Sequence, residues 1–346
     1  MNFANSLIQW YLQYKRDLPW RKTSDPYPIW LSEIMLQQTR VAQGMPYFFA
    51  FTEAFPTVFD LAAADEEKVL KLWQGLGYYS RARNLHATAK YIAFELNGKF
   101  PSTYKELQKL KGVGEYTAAA IASIAFGEAV PVVDGNVFRV LSRYFGIPTD
   151  ISSGKAKKEF FELAASLLPG GKASEFNQAM MEFGALQCVP KNPSCGNCIL
   201  NESCFALKHK KVNELPVKLK KTKVVQRYFN YVIIKDGNGN SVVQKRTAKG
   251  IWHNLYEFPL IETNSEVAFD ELMALIDKTY SGYNPVVVKP LHHEIIKHKL
   301  SHQHLYIRFW GLETQQVLAE AEEVGVIREY PFPIVIHNFM ERHWLK

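Results

Sequence analysis

At 346 residues the chain is long enough for about two domains, and its 47% hydrophobic content is that of a globular protein able to bury sizeable cores. The formal net charge of +7, with basic runs at Lys208-His209-Lys210-Lys211 and from Lys218 to Lys223, permits nucleic acid as a partner without demanding it. No stretch approaches the roughly 20 apolar residues that cross a bilayer, and the opening MNFANSLIQWYLQYKRDLPW has no signal-peptide core, so no membrane and an intracellular location are expected.

Residues 1 to 24 predict an amphipathic helix, with Phe3, Leu7, Ile8, Tyr11 and Leu12 at helical spacing, ended by Leu18-Pro19-Trp20-Arg21. A second helix opens near Pro28. Glu33 is the only carboxylate in the run Ile29 to Arg40, with apolar neighbours on both sides. Burial would raise its pKa and suit it to general-acid work; a place at the solvent edge of a core helix is the commoner fate of a glutamate. Helical patterning continues to Leu96, broken at Phe55-Pro56 and at Gly75-Leu76-Gly77-Tyr78-Tyr79-Ser80-Arg81-Ala82-Arg83, where aromatics and arginines follow a glycine turn. Such a mix can meet DNA by stacking and phosphate contacts, or simply pack.

The stretch Leu110 to Asn136 organises this region. Gly112 and Gly114 bracket Val113 and precede an alanine-rich helix from Tyr116 to Phe126, an arrangement that can turn backbone N–H groups toward a phosphate. The apolar run Val130 to Val133 then delivers Asp134, Gly135 and Asn136. The acid at its end is expected to be placed rather than loosely solvated, although for this motif alone an ordinary helix-turn-helix whose acid caps the next helix is the favoured reading. Helices also dominate Lys155 to Gln187, so residues 1 to 210 read as almost wholly α-helical.

All four cysteines fall in a 17-residue segment: Cys188, Cys195, Cys198 and Cys204, spaced C-x6-C-x2-C-x5-C. This argues for one metal or cluster site rather than a disulfide scaffold. A structural zinc site more usually shows two close pairs, whereas four thiolates so arranged can wrap a cubane. Together with the Lys111-Gly112-Val113-Gly114-Glu115-Tyr116-Thr117-Ala118 hairpin and Val132 to Val137, the spacing resembles the [4Fe–4S] loop of the helix-hairpin-helix DNA glycosylases, the endonuclease III superfamily.

Within it, Trp30 to Thr39, Gly75 to Tyr79, the hairpin, the cysteine loop and the C-terminal region are similar to adenine DNA glycosylases of the MutY type. The resemblance implies a multidomain fold. An all-α catalytic region over 1–210 is divided into a six-helix module at about 25–131 and a cluster module from 1–24 and 132–210. A basic linker spans 211–224, and an α+β Nudix-like domain spans 225–346.

It also implies base-excision repair by a monomeric enzyme on double-stranded DNA carrying 8-oxoguanine·A or G·A mispairs, acting on chromosomal DNA with a [4Fe–4S] cluster held by the four cysteines. Glu33 matches the general acid, Asp134 the carboxylate facing the sugar, and Tyr116 and Asn136 their neighbours. Trp20, Arg21 and Gln178 match the adenine pocket, although Trp20 could simply pack. Gln38, Thr39 and Tyr78 match residues entering the duplex, and Gly112, Val113 and Gly114 the backbone grip. In bifunctional relatives a lysine occupies the position of Tyr116; a phenol cannot form a Schiff base, so a monofunctional glycosylase is expected.

Beyond the linker, Tyr228 to Ile234 and Ser241 to Arg246 alternate as strands around an Asp236 to Asn240 turn. Val286 to Val288 and Leu305 to Trp310 read as strands, and Glu266 to Asp277 and Val317 to Glu323 as helices. Gly250 to Pro259 resembles the opening of a Nudix motif, but the acidic helix that binds magnesium for diphosphate cleavage does not follow, so a pyrophosphatase is disfavoured. The relatives' Phe-Ser-His loop corresponds to Leu300-Ser301-His302; Ser301 and His302 keep their roles in reading the oxidised base, while Leu300 stands where the aromatic would be. A cluster-bearing DNA-binding module with structural Glu33 and Asp134 is the non-enzymatic alternative.

Overall fold

The computed structural model describes residues 2–219 and 223–344, so Lys220 to Thr222 of the predicted linker lie outside the described residues. The chain forms two compact units, Met1–Ala63 with Asn84–Lys220, and Ala64–Arg83 with Lys221–Lys346. The expected 25–131 helical module is therefore divided, its middle segment belonging to the C-terminal unit. Among the described residues no helix is long and apolar enough to cross a membrane.

The first unit is helical. Helix α1 (Phe3–Tyr14) is capped by the Asn2 side chain, and α2 (Pro26–Leu36) by Asp25, with proline in its first turn. Ile29, Trp30, Leu31, Ile34 and Met35 of α2 are all buried, so this helix is enclosed on every side and Glu33 goes inward with it. After α3 (Val41–Ala54) and α4 (Val58–Ala63) comes the segment assigned to the other unit, which holds α5 (Glu66–Leu72) and the start of α6 (Ser80–Lys90).

The hairpin consists of α7 (Tyr104–Leu107), the glycine turn, and α8 (Glu115–Ala125). Gly112 has φ 81°, and a Cβ there would stand 2.7 Å from that of Asn84, so the turn requires glycine twice over. The N–H of Val113 donates to Leu110 O at 3.1 Å, closing the turn rather than pointing outward. Ala118 to Ala122 are buried, small enough for α8 to lie close to α2 and to α11 (Ala173–Leu186). A core of α1, α9 (Gly135–Phe145), α10 (Gly154–Leu167) and α11 packs Leu7, Trp10, Val140, Phe160, Phe176 and Phe183 together.

After the short α12 (Phe205–Lys208), the basic stretch is not free along its length. Leu215 is buried, Val217 O accepts from Ile151 N, and Leu219 N donates to Asp150.

The second unit is built on two long strands, β1 (Val225–Lys235) and β8 (Gln303–Glu313), parallel and in register from Val225↔Gln303 to Lys235↔Glu313. The predicted strand Ser241 to Arg246 is in fact two. β2 (Ser241–Val242) joins β1, whereas β3 (Gln244–Lys245) pairs with β4 (Tyr256–Glu257) in a separate sheet. β5 (Leu260–Thr263) lies along β1, and β6 (Val287–Pro290) and β7 (Ile296–Lys299) along β8. Helix α13 (Phe269–Thr279) buries Leu272 and Ile276 against Trp310 and Leu312.

The helix expected over Val317 to Glu323 is absent. Leu318 N is taken by the Asp236 carboxylate, and β9 (Ala321–Glu322) pairs with Val242 and Ser241; an open sheet edge outcompetes a short helix there, and helix begins only after it, with α14 (Val324–Glu329). Helix α15 (Ile334–Phe339) runs on into a π-helical turn, Met340–Trp344.

Candidate active site

Three elements bring the acids together. Glu33, on enclosed α2, is 8% exposed and accepts a 2.6 Å hydrogen bond at Oε2 from the hydroxyl of Tyr116, on the first turn of α8. Asp134 is the N-cap of α9: Oδ1 accepts from the N–H groups of Asn136 (2.9 Å) and Val137 (2.8 Å), while Oδ2 accepts from Asn136 Nδ2 at 2.7 Å. The helix-capping role and the placed carboxylate are thus one feature.

The environments of the two acids differ. Burial drives the Glu33 carboxyl up to about 7, helped by the charge of Asp134 and opposed by the Tyr116 hydrogen bond and by Arg21. Burial also raises Asp134, but three hydrogen bonds to its charged form and Arg139 work against it. The Tyr116 phenol is pushed well above its usual range by burial and by both carboxylates, so it stays a donor to Glu33. Glu33 is thereby fit to hold a proton near neutrality, while at Asp134 these hydrogen bonds and Arg139 partly offset the rise that burial causes.

A cavity of about 570 Å³ opens beside them, walled by Trp20, Arg21, Thr39, Asn136 and Gln178 as well as Glu33 and Asp134. Trp20 both lines it and packs edge-on against Phe48 at 5.0 Å, so its two expected roles coexist. A second cavity of about 530 Å³ shares Leu36 and Asp134 with the first and is lined by Gln38, Gly114 and Tyr116. Gln38, just past α2, holds a left-handed φ of 58° that is strained for a side chain of its size. Tyr78, Ser301 and His302 belong to the other unit. Ser301 and His302 form the tip of the β7–β8 hairpin, where Ser301 Oγ and His302 Nδ1 are 3.1 Å apart and Leu300 N donates to Gln303 O.

Several residues here escaped the sequence reading. Glu182, one turn beyond Gln178 on α11, is 1% exposed and holds both Arg16 and Arg21. Burial alone would push its carboxyl up, but hydrogen bonds from Arg16 and Arg21 outweigh this and hold it at about 2. Arg139, one turn beyond Asn136, donates to Asn136 Oδ1 (2.8 Å), Gly184 O (2.7 Å) and Cys188 O (2.7 Å). The i, i+3 and i, i+4 spacings of these residues from Asn136 and Gln178 were the available signal.

The four cysteines line one small cavity of about 30 Å³. Arg143, buried, donates to Cys188 Sγ at 3.4 Å and to the carbonyls of Val189, Pro190 and Leu215, so a positive charge faces the sulfurs. Leu200 N–H points at Cys198 Sγ at 3.4 Å. The described residues group no three ligands tightly enough for a single ion. Four thiols around one void, with N–H donors and an arginine to offset thiolate charge, suit a cluster whose ligands stand at separate corners.

Fold and site define a helix-hairpin-helix repair protein. A family model described as "HhH-GPD superfamily base excision DNA repair protein" matches residues 31–166, and one described as "NUDIX domain" matches residues 230–342. The adenine DNA glycosylase of Buchnera aphidicola subsp. Schizaphis graminum is 39% identical over 75% of this chain and 75% of its own length. That of Buchnera aphidicola subsp. Baizongia pistaciae is 35% identical over 88% and 84%. The human adenine DNA glycosylase is 47% identical over 59% of this chain and 39% of its own.

A thermostable thymine-DNA glycosylase superposes with a TM-score of 0.54 at 31% identity, covering 60% of this chain and 95% of that one. An endonuclease III–DNA complex, at 24% identity and TM-score 0.53 over 60% and 94%, shares the fold. The chain belongs to the adenine DNA glycosylase family and is a DNA glycosylase of base-excision repair.

The close approach of α11 to α9 supplies a first test. A Cβ at Gly184 would stand 2.5 Å from Asn136 Cβ and 3.0 Å from its backbone, so Gly184→Ala must displace Asn136 and the Asp134 carboxylate it holds. Single-turnover excision should fall about 100-fold, the scale of an ångström's misplacement, with DNA affinity little changed. A rate within twofold of wild type would show that Asp134 does not need Asn136.

Proposed function

We propose that the protein hydrolyses the N-glycosidic bond of adenine mispaired with 8-oxoguanine or guanine. The observation that carries this is the pairing of Glu33, buried and bonded to Tyr116, with Asp134, fixed by hydrogen bonds at a helix N-terminus, on one cavity. A base inside a duplex is out of reach of both, so the adenine is extruded into that cavity at a cost of a few kcal/mol, met by DNA contacts. There Trp20, Arg21 and Gln178 surround it. Glu33 gives its proton to the adenine ring, and the bond breaks toward an oxocarbenium-like sugar that Asp134 stabilises until water attacks. Tyr116 leaves Glu33 Oε1 free to carry the proton, because the phenol occupies Oε2.

Gln38, Thr39 and Tyr78 enter the duplex at the mispair, and Ser301 and His302 read the oxidised base. The Gly112–Gly114 turn meets the backbone through the amides that follow Val113, since Val113 itself donates to Leu110. Cys188, Cys195, Cys198 and Cys204 hold a [4Fe–4S] cluster, which when bound ties the loop 188–204 into one shape. The enzyme works as a monomer on chromosomal DNA inside the cell.

Incubation with an 8-oxoguanine·A duplex tests this directly. The adenine strand should break at that site only after alkali, and borohydride should trap no covalent adduct, because Tyr116 offers no amine. Intact adenine on both mispairs sinks the adenine-excision reading; trapping at the level of a bifunctional relative sinks the monofunctional one.

The pH profile follows from the same geometry. The single-turnover rate should fall as pH rises through about 7, where Glu33 loses its proton, and fall again on the acid side as Asp134 protonates. The Tyr116 hydrogen bond favours ionised Glu33, so Tyr116→Phe should move the alkaline limb upward in pH. An unmoved limb would mean that another group titrates.

A further inference from the structure

The segment Ala64–Arg83 lies among catalytic-region helices in sequence but is fastened within the C-terminal unit on both sides of one loop. Before the loop, Glu67 accepts from Lys245 Nζ and Tyr256 OH, each at 2.8 Å, and Glu66 accepts from Asn254 Nδ2 at 2.6 Å. Lys71 Nζ reaches the carbonyls of Arg328 and Tyr330, and Gln74 Oε1 accepts from Phe332 N at 3.1 Å. After the loop, Arg83 donates to His253 O at 2.7 Å. Trp252 and Asn254, both left-handed, bend the chain that presents this carbonyl and the Asn254 amide.

Between these fastenings, Gly75 (φ 98°), Gly77 (φ 78°) and Tyr78 (φ 49°) form a tight turn. A left-handed tyrosine costs of order 1–3 kcal/mol and persists only where its surroundings over-determine it. Gly77 O accepts from Trp73 Nε1 (3.0 Å) and Arg81 NH2 (3.1 Å), and the Arg81 guanidinium lies 5.3 Å from the Trp73 and Tyr78 rings. Tyr78 remains 42% exposed at this turn.

We infer that Ala64–Arg83 is a positioning arm by which the C-terminal unit sets the Gly75–Tyr79 turn, with Glu67 and Arg83 as its fastening points. The stretch Gly250–Pro259, Nudix-like in sequence, serves here as the socket for that arm. The consequence is specificity. The turn and the Ser301–His302 hairpin belong to one compact unit, so recognition of 8-oxoguanine and insertion of Tyr78 are set together. This consequence rests on the proposed entry of Tyr78 into the duplex; the fastening does not.

The test uses the full chain with Glu67→Ala/Arg83→Ala. In the free protein, amide exchange across residues 75–79 should quicken at least tenfold while α8 and β1 keep their protection; unchanged exchange at 75–79 overturns the arm. Should that variant unfold, Glu66→Ala, which removes the carboxylate that Asn254 Nδ2 donates to and leaves the left-handed Asn254 turn in place, is held to the same criterion with a threefold effect.

The ratio of single-turnover rates on 8-oxoguanine·A and G·A should fall at least fivefold in the double variant, but less than twofold when the same changes are made in a Tyr78→Ala background. Equal loss in both backgrounds overturns action through the turn. If Tyr78→Ala alone leaves both the ratio and the fluorescence of a 2-aminopurine beside the mispair unchanged, duplex entry fails, and the exchange result still decides the fastening.

Discussion

Glu33→Gln is expected to lower single-turnover excision by about 10²–10⁴, the range that a positioned general acid supplies, while leaving duplex affinity within a few-fold of wild type. Glutamine keeps the volume of the side chain and can still accept from Tyr116, but it has no proton to give. Asp134→Asn should cost about 10²–10³ through lost charge stabilisation. Asparagine caps helices as well as aspartate, so α9 should survive the change. Rapid-quench assays settle both, and a variant with wild-type rates has had its residue misassigned.

The same glutamine should stabilise the fold in alkali. A Glu33 carboxyl raised from 4.5 to about 7 contributes stability that is fully present below about pH 4.5 and lost as pH rises through about 7. The loss at pH 8 is on the order of 3 kcal/mol, and Glu33→Gln escapes it. The variant should therefore resist urea better than wild type at pH 8 and equally at pH 4.5. On the proposed role, the acid is held for chemistry at the expense of stability.

Glu182→Ala is the second large effect. Its carboxylate takes five hydrogen bonds, from Arg16 N, Nε and NH2 and from Arg21 NH1 and NH2, at 2.5–3.0 Å. Truncation leaves both guanidinium charges without their carboxylate in the cavity wall, Arg21 keeping only its bond to Arg16 O, and breaking a buried pair from one side costs about 3–5 kcal/mol. A carboxyl held at about 2 contributes stability that is present above about pH 4.5 and lost as pH falls through about 2, so the deficit should be full at pH 7. Urea unfolding at pH 7 measures it; a loss below 1 kcal/mol would show that water replaces the carboxylate freely. Excision should fall as well, since Arg21 loses its anchor.

Much of the candidate site was legible because its signals are local. Asp134 follows an apolar run and precedes a helix, and the glycines, cysteines and Tyr116 sit in short spacings fixed by turn and helix geometry. That Glu33 lies inside rather than at the rim was not legible: its helix is apolar all round, and only packing of α2 against α8 and α3 decided which face meets water. The predicted Val317–Glu323 helix failed for a related reason, since periodicity within seven residues cannot register an unpaired strand elsewhere in the chain.

The sequence by itself determined the family, the pair of acids, the cysteine loop and the phenol where a lysine would make a lyase. The cysteine loop and the hairpin with its phenol each rest on residues within about 30 positions of one another, whose relation is set by backbone geometry, whereas Glu33 and Asp134, far apart in the chain, share one cavity only through the fold. Tertiary structure alone decided that Glu182 anchors Arg16 across 166 residues and that Lys71 reaches Tyr330 across 259. It also decided that Val113 spends its N–H inside the hairpin and that Ala64–Arg83 serves the C-terminal unit. Such contacts leave no periodic trace in the chain, because each partner alone is an ordinary polar side chain and only burial together makes the pair obligatory.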